Sequence, residues 1–440
     1  MYERVIWNGH WQMVLAGLIG IAVVVTMAGC GSDNMADGTA SPEILTATTE
    51  APITEEPEGT DSPGDRASSP SPQAFSPQVE PDPDYESALD DARFSTNYWS
   101  DTDFSRYTVP LREFRSGGVR PDGIPSIDNP KFVSPNQANF RLDNEEPVMA
   151  FELDGDARAY PLQILIFHEI VNDVVAGVPV VITYCPLCNS AIAFERTLEG
   201  VVLDFGTTGN LRNSDLVMYD RQTSSWWQQF TGEAVVGTLA GRQLTFLSAP
   251  IISWQDFKDA YPEGMVLSHE TGYQREYGIN PYIQYDLPNS DPFLFDGVSD
   301  GRLRPKERVV AVTIGGEAAA FPFSTLEEEP VISHRIGGME IVVFFQDGTK
   351  SALDSELISF SRDVGATGVF DPVLEGRTLS FRYQDGRITD EQTGSVWNIL
   401  GHAVDGELAG KMLTPVVHGN HFWFAWAAFN PDTAIYPGGE

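Results

Sequence analysis

Asp220-Arg221-Gln222-Thr223-Ser224-Ser225-Trp226-Trp227 recurs, with substitutions, as Asp390-Glu391-Gln392-Thr393-Gly394-Ser395-Val396-Trp397. Further matches fall around this pair in the same order. Ala159-Tyr160-Pro161-Leu162 answers Ala320-Phe321-Pro322-Phe323, and Leu198-Glu199-Gly200 answers Leu374-Glu375-Gly376. Leu239-Ala240-Gly241-Arg242 answers Leu408-Ala409-Gly410-Lys411, and Trp254 through Tyr261-Pro262-Glu263 answers Trp423 through Asn430-Pro431-Asp432. Ordered matches at one separation, here roughly 160 to 176 residues, are the signature of a repeated unit. The expectation is two homologous, internally duplicated domains.

Within each copy, short apolar runs are separated by Gly, Asn, Asp or Pro. Val178 to Tyr184, Ala191 to Phe194, Val201 to Phe205 and Leu216 to Tyr219 have the length and β-branched content of strands. Ala159 to Val175 places Leu162, Leu165, Ile166, Ile170 and Val171 at helical spacing and is read as a helix. Trp254 to Tyr261, stopped by Pro262, is read as a second. Each copy is thus expected to be a β-rich α+β domain with its own core.

The chain opens with Arg4, an apolar run from Val14 to Val25, and Thr26-Met27-Ala28-Gly29-Cys30. The run is short for a membrane span, and small residues directly before a cysteine suit a cleaved lipoprotein export signal over residues 1–29. Cys30 would then carry the lipid, fixing the protein to the outer face of a membrane in the cell envelope. Residues 30–93 are nearly all Ser, Thr, Pro, Glu, Asp, Gly and Ala and read as a disordered tether, because little apolar surface is present to offset ordering entropy. The first copy then spans 94–272, a tyrosine-bearing connection 273–305, and the second copy 306–440. With a formal net charge of −36 and no basic stripe, nucleic acid is excluded as a partner.

Chemistry converges on Thr183-Tyr184-Cys185-Pro186-Leu187-Cys188-Asn189, which holds every cysteine other than Cys30. His168 precedes it, and the second copy lacks both thiols and the histidine, with Glu329 and about Phe345 in the matching places. Four readings stand open. Outside the cytoplasm the pair could form a structural disulfide, though closing so short a loop removes little chain entropy. Cys-x-x-Cys spacing also suits thiol-disulfide exchange, on a scaffold that is not thioredoxin because Asn189 to Phe194 continues as a strand. Cys185, Cys188 and His168 together form a donor set for copper or zinc, completed by His269, Met218, Glu233 or water. Finally, Cys185 could be a nucleophile with His168 as its base, oriented by Asn172 or Glu169.

Other polar clusters are read as structural. Phe205-Gly206-Thr207-Thr208-Gly209-Asn210 lacks phosphate-loop spacing and suits a hairpin. The Asp-x-Gln-Thr-x-Ser-x-Trp pattern occurs in the copy without thiols, and His418 and His421 are flanked by aromatics.

The stretches Tyr184 to Cys188, Met218-Tyr219-Asp220-Arg221-Gln222-Thr223 and Phe422-Trp423-Phe424-Ala425-Trp426 resemble the prokaryotic exported proteins grouped as domain of unknown function 3179, over Gly117 to Tyr436. The resemblance implies no activity. It does imply that the first cysteine and the His-Glu pair at His168-Glu169 persist where some members carry threonine in place of Cys188, which gives Cys185 and His168 more weight than the dithiol. The combined expectation is a membrane-tethered protein with one Cys/His site for metal or thiol chemistry. The rival is a binding module that holds a small solute or partner, with Cys185 and Cys188 as a structural disulfide.

Overall fold

The β-branched runs form strands because only the extended backbone lets such side chains alternate between two packed faces. The computed structural model describes residues 75–437, a β-rich α+β fold with short helices. Cys30 and the export signal lie outside the described residues. None of the described helices is long and apolar enough to cross a membrane.

In the first half, Pro147–Leu153 and Asp156–Pro161 are central in a sheet flanked by Ile251–Ser253 on one side and by Met265–Leu267 and Phe132–Val133 on the other. Asp156–Pro161 and Met265–Leu267 run parallel, and the other pairs are antiparallel. A second sheet takes the order Thr245–Leu247, Ser190–Glu195, Val178–Cys185, Ile170–Val175. A third contains the long hairpin Phe205–Arg212 and Asp215–Asp220, followed by Trp226–Gln228 and Ala234–Val236.

The second half repeats this strand order. Gly419–Phe422, Arg308–Ile314, Glu317–Pro322 and Ala434–Ile435 form one sheet, with the last pair again parallel. Thr414–Pro415, Ala366–Asp371, Met339–Gln346 and Val331–Ile336 form the next, and Phe381–Gln384 through Ala403–Asp405 the third. The helices Trp254–Ala260 and Trp423–Phe429 occupy equivalent places in chain order.

The recurring Asp-Thr-Ser-Trp pattern is a lock at the end of a hairpin. Asp220 Oδ1 accepts from Thr223 N at 2.6 Å and Oδ2 from Trp227 Nε1 at 2.9 Å, while Ser225 Oγ accepts from Leu239 N at 3.0 Å. Asp390, Thr393, Trp397 and Leu408 repeat these contacts at 2.6, 3.0 and 2.9 Å around Ser395. A buried carboxylate that accepts several N–H bonds organises the turn, so this motif is structural in both halves.

Three expectations are corrected. The helix read over 159–175 is only Leu162–His168, because Glu169 turns to φ +59° and Ile170–Val175, rich in β-branched residues, pairs with Val178–Cys185 as a strand. The tether is not featureless to Arg93: Phe75 is buried in the main apolar cluster, and Tyr85–Asp90 is a helix against Trp99, Phe104 and Trp226. The halves also do not keep to separate cores: each has one cluster of its own, but the two larger clusters are shared. One cluster packs Cys185, Tyr184 and Phe194 with Phe422, Trp423 and Trp426, and another packs Val148 and Trp254 with Phe344, Phe370 and Trp397. Residues 75–437 therefore belong to one compact unit.

Replacing Asp220 or Asp390 by alanine orphans a buried indole N–H and a backbone N–H. Each variant should lose about 3 kcal/mol of stability in urea denaturation.

Candidate functional site

Val178–Cys185 and Ser190–Glu195 form a hairpin in which Cys185 stands opposite Ser190, so the tip is Pro186-Leu187-Cys188-Asn189. Asn189 takes φ +50° and its N–H donates to Pro186 O at 3.2 Å, closing the turn and bringing Cys188 back over Cys185. A strand follows, so the chain does not run from the thiols into a helix as it does in a thioredoxin-like site. Both cysteines are free and buried, and both thiols point at one acceptor, Ser214 O, at 3.8 Å from Cys185 Sγ and 3.5 Å from Cys188 Sγ.

Ser214 belongs to the tip of the neighbouring long hairpin, and the next residue, Asp215, completes the group. A carboxylate oxygen of Asp215 and the two sulfurs lie within 4.8 Å of one another, all fully buried. Asp215 Oδ2 accepts from Gln228 Nε2 at 2.6 Å and Phe230 N at 3.0 Å, while Oδ1 has no hydrogen-bond partner among the described residues. In the second half this hairpin is Phe381–Gln384 with Arg387–Asp390, shorter in both strands, so the tip that carries Ser214 and Asp215 belongs to the first half alone.

Glu169 stands beside this group. Its carbonyl accepts from Tyr184 N at 2.8 Å, next to Cys185, and its buried side chain makes no hydrogen bond among the described residues. Burial shifts the titratable groups here in one direction. Burial, with the charge of Asp215, pushes the Glu169 carboxyl up to about 8, and burial pushes Asp215 up to about 7. Burial also raises both thiols, Cys188 the more strongly. Burial works against ionisation of both thiols and both carboxyls, whereas hydrogen bonding from the thiols favours the ionised form of Asp215.

His168, grouped with the thiols on sequence grounds, does not join them. Its Nδ1 bonds Pro125 O at 2.7 Å and its Nε2 bonds Tyr277 Oη at 2.7 Å, so both nitrogens are occupied. Burial pulls its pKa down to about 4, so the ring is neutral: Nδ1–H donates to the carbonyl and Nε2 accepts from the tyrosine. Tyr277 Oη also pairs with Thr271 Oγ1 at 2.6 Å. Asn172 does not orient the imidazole, since its amide bonds Asp128 and Phe205. His269, edge-on to Tyr277, and Glu233 are also outside the group, and Met218 packs in the core. His418 and His421 are held among Phe230, Trp426 and Val416 O, as their aromatic flanks suggested.

The 273–305 connection lies across the cysteine turn. Tyr285 Oη donates to Leu187 O at 3.1 Å, and Ser214 Oγ donates to Phe293 O. Lys306 Nζ sits 3.4 Å from the Tyr285 ring centroid and donates to Tyr285 O at 2.7 Å, which fixes that ring. From the second half, Phe422 N donates to Cys188 O at 2.9 Å and Asn420 O accepts from Asn189 Nδ2 at 3.4 Å.

Two outcomes follow from this geometry. In the folded protein both thiols should react with a chromogenic disulfide reagent only after denaturation, as titration with and without urea would show. The second concerns pH. Unfolded carboxyls titrate near 4, whereas the folded Glu169, Asp215 and Glu146 titrate at about 8, 7 and 7. The folded state thus holds more protons between these values, and stability falls as pH rises toward the folded pKa. The buried histidines act in the opposite sense, because unfolded imidazoles near pH 6.5 are partly protonated while the folded ones are neutral, and they offset part of the change. Chelator-treated protein should therefore melt at a lower temperature at pH 8 than at pH 6.5, and Glu169→Gln should reduce the difference.

No curated relative and no solved structure matches the chain. A family model described as "Protein of unknown function (DUF3179)" matches residues 121–433, which takes in the cysteine hairpin, Asp215, Glu169, the connection and most of the second half. The chain belongs to that family.

Proposed function

We propose that this protein is an exported lipoprotein, anchored through Cys30 to the outer face of a membrane, that holds one divalent metal ion between Cys185, Cys188 and Asp215. The observation that carries this reading is the group of two sulfurs and a carboxylate oxygen within 4.8 Å of one another, fully buried, with Asp215 Oδ1 unpartnered. Buried acidic groups that destabilise one another are relieved by a cation, which would reverse the upward pKa shifts and hold the thiols as thiolates. Exchange of the histidine for an aspartate also changes the choice of metal. Copper in its reduced state favours sulfur and imidazole, whereas two thiolates and a carboxylate suit zinc.

The duplicated architecture belongs to the same proposal. Matching strand order, the repeated Asp-Trp lock and the reciprocal packing of the halves support descent from one repeated unit, with the chemistry kept in the first copy. The second copy then serves as the wall that closes the cysteine turn. A second reading, a dithiol that cycles with a disulfide, is favoured by the shared Ser214 acceptor, which holds the sulfurs side by side.

Elemental analysis of the exported chain, purified without chelator or affinity histidines, separates these readings. The expected result is close to one zinc per chain, lost in Cys185→Ser and Asp215→Asn and retained in His168→Ala. Metal-free wild-type protein with a Cys185–Cys188 disulfide would overturn the proposal in favour of the redox site or the binding module.

A further inference from the structure

The sheet built around Pro147–Leu153 and Asp156–Pro161 has five strands, whereas its counterpart in the second half has four. The additional strand, Phe132–Val133, lies antiparallel to Met265–Leu267, with Val133 opposite Val266. It leads through Ser134 into the short helix Pro135–Ala138, which packs against the same strand. The first half thus builds a wall here that the second half does not.

Behind that wall is a cavity of about 150 Å³. It lies where the parallel neighbours Asp156–Pro161 and Met265–Leu267 end side by side, at Pro161 and Leu267. Crevices at the carboxyl ends of parallel strands are a recurrent place for ligands. Ala138, Leu142, Pro161, Val266 and Leu267, all buried, form an apolar floor, and Gln137, Arg141 and Glu270, all exposed, form the rim. An apolar cavity of about this size accommodates a molecule as large as benzene.

The fold leaves hydrogen-bonding groups of this lining unused. His269 Nε2 is sealed from solvent and has no partner among the described residues, a state that is costly until something bonds it. Burial, with the charge of Arg141, pulls the His269 pKa down to about 4, so the ring is neutral at pH 7 and presents one N–H and one lone pair. The Gln137 side-chain oxygen accepts from Ser134 N and Ser134 Oγ, each at 3.1 Å, which closes the start of the short helix and leaves Nε2 without a partner among the described residues. The main chain of Arg141 is fixed, its N–H donating to Ala138 O at 2.8 Å and its O accepting from Gln163 Nε2 at 3.0 Å. Its guanidinium pairs with no carboxylate among the described residues, and Glu270 on the same rim is turned to Lys131 at 3.8 Å.

We propose that this cavity binds a small monocarboxylate, with its hydrocarbon part on the apolar floor and its carboxylate at the rim among Arg141, Gln137 and His269. A guanidinium suits that group because two parallel N–H bonds match the two carboxylate oxygens. The hydrocarbon part contributes by leaving water, and the size of the floor restricts it to roughly four to six carbons. A second carboxylate would meet Glu270 and an ammonium would meet Arg141, so the rim charges select against both. None of the lining belongs to the thiol group, and the proposal does not rest on the metal reading. The cavity does reach the connection, since the His269 and Tyr277 rings lie 5.0 Å apart between centroids.

The test is ligand-observed NMR on the full exported chain, with butyrate, butanamide and butylamine as probes of one size and three charges. Butyrate should bind saturably, and the neutral amide and the amine roughly tenfold or more weakly. Arg141→Ala alters an exposed side chain that makes no hydrogen bond within the fold, so the variant should fold and bind butyrate roughly tenfold more weakly. Arg141→Lys should recover part of the loss, and Arg382→Ala, which removes an exposed arginine of the second half, should bind as wild type does. Wild type that binds no butyrate, or binds butanamide equally well, would overturn the proposal, as would Arg141→Ala with unchanged affinity. Preference for butylamine would overturn it by making the rim a cation site on Glu270.

Discussion

Four acidic groups buried in one pocket are the constraint around which the first half is arranged. An ionised carboxylate or thiolate taken out of water without a counter-charge is strongly disfavoured, and each further like charge adds to the penalty. Cys185, Cys188, Asp215 and Glu169 come from three separate segments, so the convergence is built by tertiary structure and not by local accident. Nothing basic enters to relieve it: Lys306 is turned to the Tyr285 ring, and Arg308 is paired with Asp286. The extended hairpin ending in Ser214 and Asp215 is what brings the carboxyl to the sulfurs.

The sequence made the strands legible and the pocket only half so. Runs such as Val178 to Tyr184 were readable because β-branched residues and turn residues alternate at strand lengths. Ile170 and Val171 misled, since a helical spacing of apolar residues continues into them; the residue that breaks it is a glutamate, which carries no breaker signal. His168 was attractive for its type and for the lack of a histidine at the matching place in the second half, but its ring is taken up by Pro125 O and Tyr277 Oη. Asp215 had no local mark at all. It opens an ordinary apolar run, and only the pairing of two hairpin tips brings it to the sulfurs.

The ordered sequence matches pointed to two halves with like strand order, yet the way the halves combine was not legible. Periodicity reports which face of a strand is apolar and says nothing about which strand in another segment will cover it. Here each half's segment around its tryptophan helix covers part of the other half's second sheet, as in an isologous dimer written in one chain. That exchange explains why residues outside the thiol-bearing copy complete its pocket: the backbone at Phe422 and Asn420 and the Tyr285 hydroxyl all bond the turn.

The contact from Phe422 N to Cys188 O also joins two points that are made at different times. A ribosome delivers Cys188 well before Phe422, so the hairpin exists for an interval without its cover. During that interval the sulfurs and Asp215 face solvent, and ions, oxidants and small thiols all have access. Docking of the last segment ends the competition. From then on the sulfurs are reached only through partial unfolding, so their chemistry is decided mainly by the solution in which the chain folds.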